Sequence, residues 1–508
     1  MDKQSVDGML FLKAQNGYQL ITISSLLLSL IATYLIAQCI YLLIFHSLAD
    51  IPGPKLCAVS RIPYWLATIQ GRDVKWLHQL HLKYGPVVRF GPTDLSYSKA
   101  EAWKDIHGHN KGRLENFKAP EFSVQPANGV PSMLNANFED HARVRRLFSP
   151  AFSDRALKKQ ETLFKNYVNK LLLNLSHVSE SSGCAEMTQL FNFTTFDIMG
   201  DLCFGRSLGL LEKNKLNPWV QSVFESLKML PFASIIAYYP LLDSIFTRYE
   251  PKWVTEQRRI HCQFSADRVD QRLKEGSERP DIWNLIVLAK DTENALSTEE
   301  MHSNAELFML AGSETTATLL SGLTYYLLTN PDHYARLKKE IRGKFSSTGD
   351  LSFESLSECK YLDACVKEGL RVYPPVPIGS PRVIPVEGRQ ILGRWIPPDT
   401  RVSVHHYSAY HSQDNFRDPD KFVPERWMSG ENTEYAGDVQ DAHRPFGWGH
   451  RNCLGQNMAI HETKLILASV VLLFDLELSE ESRDWLDQKT FALWSKRPLL
   501  CNVKANVS

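Results

Sequence analysis

The feature that most restricts how this chain can fold is a long apolar segment near its N-terminus. The segment runs from Ile21 to Phe45, and residues 14–49 contain no Asp, Glu, Lys or Arg. A helix of this length, at about 1.5 Å per residue, extends roughly 37 Å and exceeds the ~30 Å hydrocarbon core of a bilayer. We therefore predict an N-terminal membrane anchor at residues 1–50, with the spanning helix at about 21–45.

A cleaved signal peptide is the competing interpretation, because Ser47-Leu48-Ala49 resembles a small-residue cleavage site. The apolar run is, however, longer than the about 7 to 15 residues of a usual signal peptide, and no basic excess precedes it. We favour the anchor. After the span, four basic residues face two acidic ones between positions 50 and 75. By the positive-inside rule, this excess places the large C-terminal part of the chain in the cytosol.

The segment Ile51-Pro-Gly-Pro-Lys55 follows the span directly. Two prolines that flank a glycine cannot continue a helix and favour a stiff, extended path. No later stretch resembles a linker or a repeat. We therefore predict a Pro/Gly hinge at residues 51–55 and one catalytic domain at residues 56–508.

Composition excludes several classes of protein. The chain has 57 basic and 57 acidic residues and no block of like charge, so we expect no nucleic-acid partner. Its nine cysteines are odd in number and never spaced C-x-x-C, which argues against a disulfide framework and against a zinc site. We expect the catalytic part to lie in a reducing compartment.

Helical periodicity dominates the region after the hinge, for example at residues 155–175, 304–330 and 457–476. Stretches typical of strands are short and interrupted by Gly and Pro, at 86–91 and 382–404. The sequence predicts a mostly α fold with a small β region.

One cysteine has an unusual setting, in Pro445-Phe-Gly-Trp-Gly-His-Arg-Asn-Cys-Leu-Gly455. Cys453 comes just before a long apolar helix, whose N-terminal amides favour a negative charge on sulfur. Glycines permit tight turns and close approach of the backbone to a flat cofactor. Taken alone, the stretch is equally compatible with an inert buried thiol in a Gly-rich loop.

The pattern Phe446-x-x-Gly449-x-Arg451-x-Cys453-x-Gly455 resembles the heme-binding signature of the cytochrome P-450 superfamily. The resemblance implies the cytochrome P-450 fold, with one large heme domain behind an N-terminal transmembrane helix. It also implies heme b, an iron protoporphyrin IX, as the cofactor and Cys453 as its axial thiolate ligand. Three further stretches match the family in the expected order, so the resemblance covers the chain from anchor to C-terminus.

The first stretch is Lys367-Glu-Gly-Leu-Arg-Val-Tyr-Pro-Pro375, in which Glu368 and Arg371 lie three apart on one helix face. Exposed pairs of this kind are common and contribute only ~0.3 kcal/mol. In the family, such a pair meets the arginine of a Pro-Glu-Arg segment, which is Arg426 here. The resemblance therefore implies a structural triad that supports the heme site.

The second stretch is Ala311-Gly-Ser-Glu-Thr-Thr316, where small and β-branched residues weaken a helix. Alone, it is typical of a close helix–helix contact. In the family, an acid–alcohol pair at these positions lies over the distal face of heme and delivers protons. The resemblance implies this catalytic role for Glu314 and Thr315, which favours a monooxygenase.

The third stretch is Asp140–Ser153, with His141 where the family usually has Trp, followed by Arg145. An imidazole N–H can replace the indole N–H toward a heme propionate, although a basic, solvated helix face is the alternative. Arg382 and Arg451 match two other propionate-binding arginines of the family.

Substrate contacts in the family come from the segment near 117–137, from the long helix and from the region after Pro375. Most apolar residues in any such set belong to the core. The positions that match here are Phe122, Met133, Phe308, Ala311, Val376 and Ile378. This apolar lining is suitable for a lipophilic substrate.

The stretches near 373–382 and 410–427 are most similar to fungal secondary-metabolite enzymes of the isotrichodermin hydroxylase type. The resemblance implies a heme-thiolate monooxygenase that hydroxylates, or otherwise oxidises, a terpenoid or polyketide intermediate with O2. A ring-forming, desaturating, isomerase or dehydratase P-450 is the alternative within enzymes. A membrane-anchored heme- or lipid-binding protein without turnover is the alternative outside them.

The source of electrons follows from what the chain lacks. The sequence has no G-x-G-x-x-G fingerprint and no candidate flavin module. Electrons must come from a separate protein, by resemblance an NADPH-cytochrome P-450 reductase in the same membrane. The resemblance also implies a single-pass protein of the endoplasmic reticulum, with its catalytic domain in the cytosol.

Overall fold

The computed structural model describes residues 3–109, 115–122, 128–275, 281–284, 286, 295–428, 430 and 433–506. Helices dominate it, which confirms the predicted fold class. Numbered along the chain, they are α1 (Lys3–Ile40), α2 (Lys55–Val59), α3 (Ile62–Ile69), α4 (Asp73–Tyr84), α5 (Glu101–His107), α6 (Phe138–Phe148), α7 (Asp154–Glu180), α8 (Met187–Phe204), α9 (Leu210–Lys213), α10 (Pro218–Tyr238), α11 (Pro240–Arg248), α12 (Lys252–Lys274), α13 (Thr298–Thr329), α14 (Pro331–Lys344), α15 (Phe353–Ser357), α16 (Lys360–Val372), α17 (His406–Tyr410) and α18 (Gln456–Leu473).

Short strands form the smaller part of the fold. They are β1 (Val87–Gly91), β2 (Asp94–Tyr97), β3 (Phe117–Lys118), β4 (Cys184–Glu186), β5 (Arg382–Val383), β6 (Arg389–Ile391), β7 (Arg394–Ile396), β8 (Arg401–Val404), β9 (Phe474–Leu478), β10 (Lys489–Phe491), β11 (Leu493–Ser495) and β12 (Leu500–Ala505). The largest sheet has the order β1-β2-β8-β5-β3, with β2 and β8 parallel and the other neighbours antiparallel. A second sheet has the order β4-β12-β9, and β6–β7 and β10–β11 are hairpins. The predicted helix at 457–476 ends three residues early, where β9 begins.

Helix α13 is the central element and packs against α8, α16 and α18. It remains α-helical through Ala311–Thr316, so the small residues there do not interrupt it. Gly312 permits the close approach of α8, since a Cβ at this position would lie 2.7 Å from the sulfur of Met199. Leu319 and Leu323, further along, are buried in the main core.

The N-terminal apolar segment lies in a helical stretch that is longer than the predicted span. α1 continues into a π-helical turn at Tyr41–Phe45. Across Ile21–Phe45 the mean hydropathy is 2.2, and large apolar side chains such as Leu28 are exposed. By length and composition, this segment can cross a membrane.

The junction between anchor and domain is tightly bonded to the β-sheet. Arg89 of β1 is 1% exposed, and its guanidinium donates to the carbonyls of Leu42 (3.0 Å), Leu48 (3.2 Å) and Pro92 (2.7 Å). Within the predicted hinge, the Pro52 carbonyl accepts the Arg89 backbone N–H at 2.8 Å. The segment is therefore held against the sheet where we expected only a spacer.

Candidate active site around Cys453

The loop before α18 presents Cys453 with an accessible sulfur. The backbone N–H of Cys453 donates to the carbonyl of Phe446 at 2.7 Å, which closes the loop. The sulfur is accessible to solvent, yet it lies so deep among protein atoms that desolvation raises the pKa of the thiol. The Gly455 N–H and the Arg145 guanidinium act in the opposite direction but do not outweigh it. Burial therefore favours the neutral thiol, and a metal ion at the sulfur would favour the thiolate.

The glycines of this loop do not all serve the close approach to a flat cofactor that we expected. Gly447 and Gly449 have φ values of +75° and +77°, in the left-handed region that favours glycine. A Cβ on Gly449 would lie 2.0 Å from the carbonyl oxygen of His107, the last residue of α5. Gly449 thus permits contact with another part of the protein. At Gly455, by contrast, a Cβ would come no closer than 4.0 Å to the Phe152 ring.

Arg451 is held by protein partners. Its Nε and Nη2 donate to Glu115 at 3.1 and 2.7 Å, and its Nη1 donates to the Ala136 carbonyl at 3.1 Å. The other acceptor role of Glu115 is toward His450, at 2.6 Å. Although burial opposes ionisation, His450 and Arg451 hold the pKa of Glu115 at about 2.

Further cations gather next to Arg451. Burial and the neighbouring Arg382 and Arg451 lower the pKa of Lys118 to about 7. Burial and Arg451 lower the pKa of Arg382 to about 10, and the buried Nε of Arg382 has no hydrogen-bond partner in the described part of the chain. His141 is 5% exposed, and burial together with Arg451, Arg145 and Lys118 lowers its pKa to about 3. The cluster carries an excess of positive charge, which favours an anionic ligand.

Arg145 connects helix α6 to the cysteine loop. Its Nη1 donates to the Asn452 carbonyl and its Nη2 to the Asn452 side-chain oxygen, both at 2.6 Å. The structure thus places Arg145 beside the sulfur of Cys453, whose charge it favours.

These residues fit a heme. The group needs one soft axial donor and counter-charges for two propionates. Cys453 supplies an accessible thiol, and the cations Lys118, Arg382 and Arg451 outnumber Glu115, the acid that acts on them in the described part of the chain. An arginine Nε left unpartnered in a buried site is the type of donor that a carboxylate satisfies.

Glu314 and Thr315, adjacent on α13, point to different surroundings. The Thr315 hydroxyl donates to the Ala311 carbonyl at 2.7 Å, and both of these residues lie on an accessible stripe of the helix. Glu314 is 2% exposed and forms an ion pair with Lys496, just after β11. Burial raises the pKa of Glu314 despite this partner. The structure therefore pairs the Glu314 carboxylate with Lys496, while the Thr315 hydroxyl lies on the accessible stripe.

The three residues of the predicted triad meet in the interior. Glu368 accepts from Arg371 at 2.7 and 2.9 Å and from the Nε of Arg426 at 3.1 Å. It also accepts from the Val423 backbone and the Trp427 indole, both at 2.8 Å. Burial opposes ionisation, but the two arginines lower the pKa of Glu368 below its usual value. The triad joins α16 to the segment that precedes the cysteine loop.

The residues predicted to line a substrate pocket are not all in one environment. Ala311 is exposed, and Val376 and Ile378 are partly accessible. Phe308 is 6% exposed and packs edge-on against Phe148 at 4.7 Å between ring centroids, because its face of α13 meets α6. The structure therefore places Phe308 in the core.

The remaining two pocket positions are Met133 and Phe122. Met133 is 9% exposed, and its backbone N–H donates to Asn304 of α13 at 2.8 Å. The side chain of Phe122 lies outside the described residues.

Sequence reasoning missed Glu115, Lys118, His450 and Lys496. Each contributes through contacts between segments that are far apart in the chain, and no local motif marks them. For Lys118 the sequence offers one local signal, because it is the only charged residue in the segment Asn116-Phe-Lys-Ala-Pro120.

The site has an accessible thiol, Cys453, beside a cluster of cations. The central helix, α13, carries the Thr315 hydroxyl on an accessible stripe. These features are those of a thiolate site for an anionic metallocofactor. The chain belongs to the cytochrome P450 family, whose sequence profile matches residues 52–502. Members of this family are heme-thiolate oxidoreductases that use O2 and electrons from a reductase, and they act on lipophilic substrates. The chain is an oxygen-using monooxygenase of this type.

Fungal relatives align with nearly the whole chain. It is 45% identical over 477 residues to the cytochrome P450 monooxygenase efuB of Hormonema carpetanum, an alignment that covers 92% of this chain and 94% of the relative. It is 44% identical over 464 residues to the cytochrome P450 monooxygenase FUM2 of Gibberella moniliformis, covering 91% and 98%. It is 40% identical over 497 residues to averantin hydroxylase of Dothistroma septosporum, covering 96% and 92%.

Proposed function

We propose that this chain hydroxylates a lipophilic secondary metabolite at a heme held by Cys453. The observation that carries the proposal is the accessible Cys453 sulfur next to a cluster of cations that outnumber the neighbouring acid Glu115. Phe446 and Gly449 shape the loop that presents the sulfur, and the backbone N–H of Gly455 is directed to the sulfur. The overall reaction inserts one oxygen atom of O2 into a C–H bond and reduces the other to water, with two electrons and two protons taken up.

Four residues are proposed to bind the heme propionates: His141, Arg145, Arg382 and Arg451. Arg382 has an unpartnered buried Nε, which supports a direct contact. Arg451 donates a hydrogen bond to Glu115, which fixes the position of its guanidinium while it adds positive charge to the proposed propionate site. Arg145 bonds to Asn452, which supports a second role in positioning the cysteine loop.

Heme, when bound, supplies the binding and reductive activation of dioxygen. The protein supplies protons and excludes bulk water. Thr315 lies on the accessible stripe of α13, and its oxygen can accept a hydrogen bond from a water while its own proton is donated to Ala311. Glu314, buried one residue away, is proposed to take up protons and pass them to that water.

For the substrate, we propose a terpenoid or polyketide intermediate of fungal secondary metabolism. The accessible apolar positions Ala311, Val376 and Ile378 are proposed to line the site for such a molecule. One relative is itself a hydroxylase by name, which supports hydroxylation as the outcome. Removing the gene from its host should cause this intermediate to accumulate.

We propose an NADPH-cytochrome P450 reductase as the electron donor and the endoplasmic reticulum as the location. The catalytic domain, proposed to begin at residue 56 after the 51–55 segment, would then face the cytosol. The sequons at Asn174, Asn192 and Asn506 allow a test. We expect no mass shift on endoglycosidase treatment and retention in membranes after an alkaline wash; a glycosylated chain would contradict this orientation.

The oxidation itself is tested with the full chain in lipid nanodiscs, NADPH, the reductase and ¹⁸O2. The substrate is the accumulated metabolite. We expect one ¹⁸O atom in the product, with NADPH consumed in step. A product without label in the presence of a competent reductase would contradict hydroxylation and favour an isomerase, dehydratase, desaturase or ring-forming reaction.

A further inference from the structure

A buried ion pair joins α13 to Lys496, which directly follows the β10–β11 hairpin, called the C-terminal hairpin below. Lys496 and Glu314 are 4% and 3% exposed in their side chains, and the Nζ of Lys496 donates to Oε1 of Glu314. The same ammonium donates to the Thr318 hydroxyl at 2.7 Å, one turn further along α13. The second carboxylate oxygen of Glu314 is buried, and the described residues offer it no hydrogen-bond partner.

The backbone around Lys496 is fixed on both sides. The indole N–H of Trp494 donates to the Pro374 carbonyl at 2.8 Å, and its ring stacks on Tyr373. The backbone N–H of Leu499 donates to Glu186 at 2.8 Å. Lys496 is therefore held at a set position, and it determines where the Glu314 carboxylate points.

The ion pair lies at the wall of a cleft of about 290 Å³. The cleft is large enough for several water molecules. Its walls come from α8, α10, α13 and the C-terminal hairpin, and among its polar groups is the Asn192 side-chain oxygen, buried and without a partner among the described residues. The charged residues that line it besides the pair are Glu186, Lys228 and Arg497.

Burial brings the pKa values of Glu314 and Lys496 closer together. Burial raises the pKa of Glu314, and the opposing effects of Lys496 and Thr318 do not cancel the rise. Burial lowers the pKa of Lys496, while Glu314 and Glu186 partly restore it. Proton movement between the cleft and Glu314 is thus less unfavourable than for an ordinary lysine–carboxylate pair.

We propose that Lys496 is a positioning residue for the oxidation: it holds Glu314 at the wall of this cleft, so that protons from cleft water enter the reaction there. This inference rests on the proposed function of Glu314. Each turnover takes two protons, and Glu314 returns to its starting charge after passing each one to water near Thr315. Lys496 keeps its own proton throughout.

The first test measures how NADPH electrons divide between product and hydrogen peroxide. Lys496→Met leaves Glu314 without its cation, and we expect the peroxide fraction to rise on the order of tenfold. Lys496→Arg should restore most of the coupling. Lys464→Met is the matched control, because it removes a similarly buried lysine that pairs with Asp363 elsewhere, and it should leave the peroxide fraction unchanged.

The pH dependence separates positioning from a merely structural role. Without the ammonium, the pKa of Glu314 rises further, and we expect the pH profile of coupling to shift upward in Lys496→Met only. A parental peroxide fraction and pH profile in Lys496→Met would overturn the proposal.

A second test does not depend on turnover. The thermal midpoints of Lys496→Met, Glu314→Gln and the double variant are compared in a double-mutant cycle. We expect Lys496→Met to lower the midpoint and Glu314→Gln, added to it, to recover part of the loss. Additive effects would overturn the pairing. If the cycle shows that Lys496 and Glu314 are coupled but the protein never incorporates oxygen into a product, the result counts against the proposed function and leaves the pairing intact.

Discussion

Replacing Glu368 by Gln tests whether the buried triad supports the heme domain. Gln keeps the shape of the side chain but removes the charge that faces two guanidinium groups. Glu368, Arg371 and Arg426 are each 0% exposed in their side chains. The variant therefore leaves the buried Arg371 without an acid partner in the described part of the chain, while Arg426 keeps its ion pair with Asp438. For this uncompensated buried charge we expect a loss of about 3–5 kcal/mol in unfolding free energy.

That loss is a large share of the about 5–15 kcal/mol that holds a typical protein folded. The assay is urea unfolding of the full chain in detergent, followed by tryptophan fluorescence. Glu480→Gln is the control, because its partner Arg483 lies in the same i,i+3 geometry and both side chains are more than 70% exposed. We expect less than about 1 kcal/mol there. Equal, small effects in both variants would refute the reasoning.

Two further predictions concern the distal helix and acid stability. Thr315→Ala should retain heme but release more peroxide per NADPH; tight coupling in this variant would mean that its hydroxyl has no part in proton delivery. Burial lowers the pKa of His81 and His406 to about 4 and of His411 to about 3, against about 6.5 in an unfolded chain. Their contribution is therefore complete above about pH 6.5 and is lost as the pH falls, by about 1.4 kcal/mol per pH unit for each histidine. Urea midpoints should fall accordingly, and midpoints that do not change down to about pH 5 would contradict it.

The architecture could be predicted because it depends on local patterns. Helical periodicity placed the ends of α7, α13 and α18 within six residues, and the uncharged run at 21–45 lies in α1 and the π-helical turn that follows it. The packing of the 51–55 segment could not be foreseen. It depends on Arg89, whose carbonyl partners lie between 3 and 47 residues away in the chain.

The candidate site likewise has residues that local motifs predict and residues that only long-range contacts bring together. The positions of Cys453, Glu368 and Arg371 follow from motifs with fixed spacing. The partners Glu115, Lys118 and Lys496 come from separate segments and meet only in the folded chain. Phe308 lies on α13, as the family match predicts, and packs against Phe148; its contact with substrate stays a prediction.

The most direct test of the whole account is the optical spectrum of the reduced, carbon monoxide-treated protein. We predict the red-shifted Soret band of a thiolate-ligated heme in the parent chain and its loss in Cys453→Ala. Absence of iron from the correctly folded parent, or a band typical of histidine ligation, would contradict the central claim that Cys453 binds the heme iron.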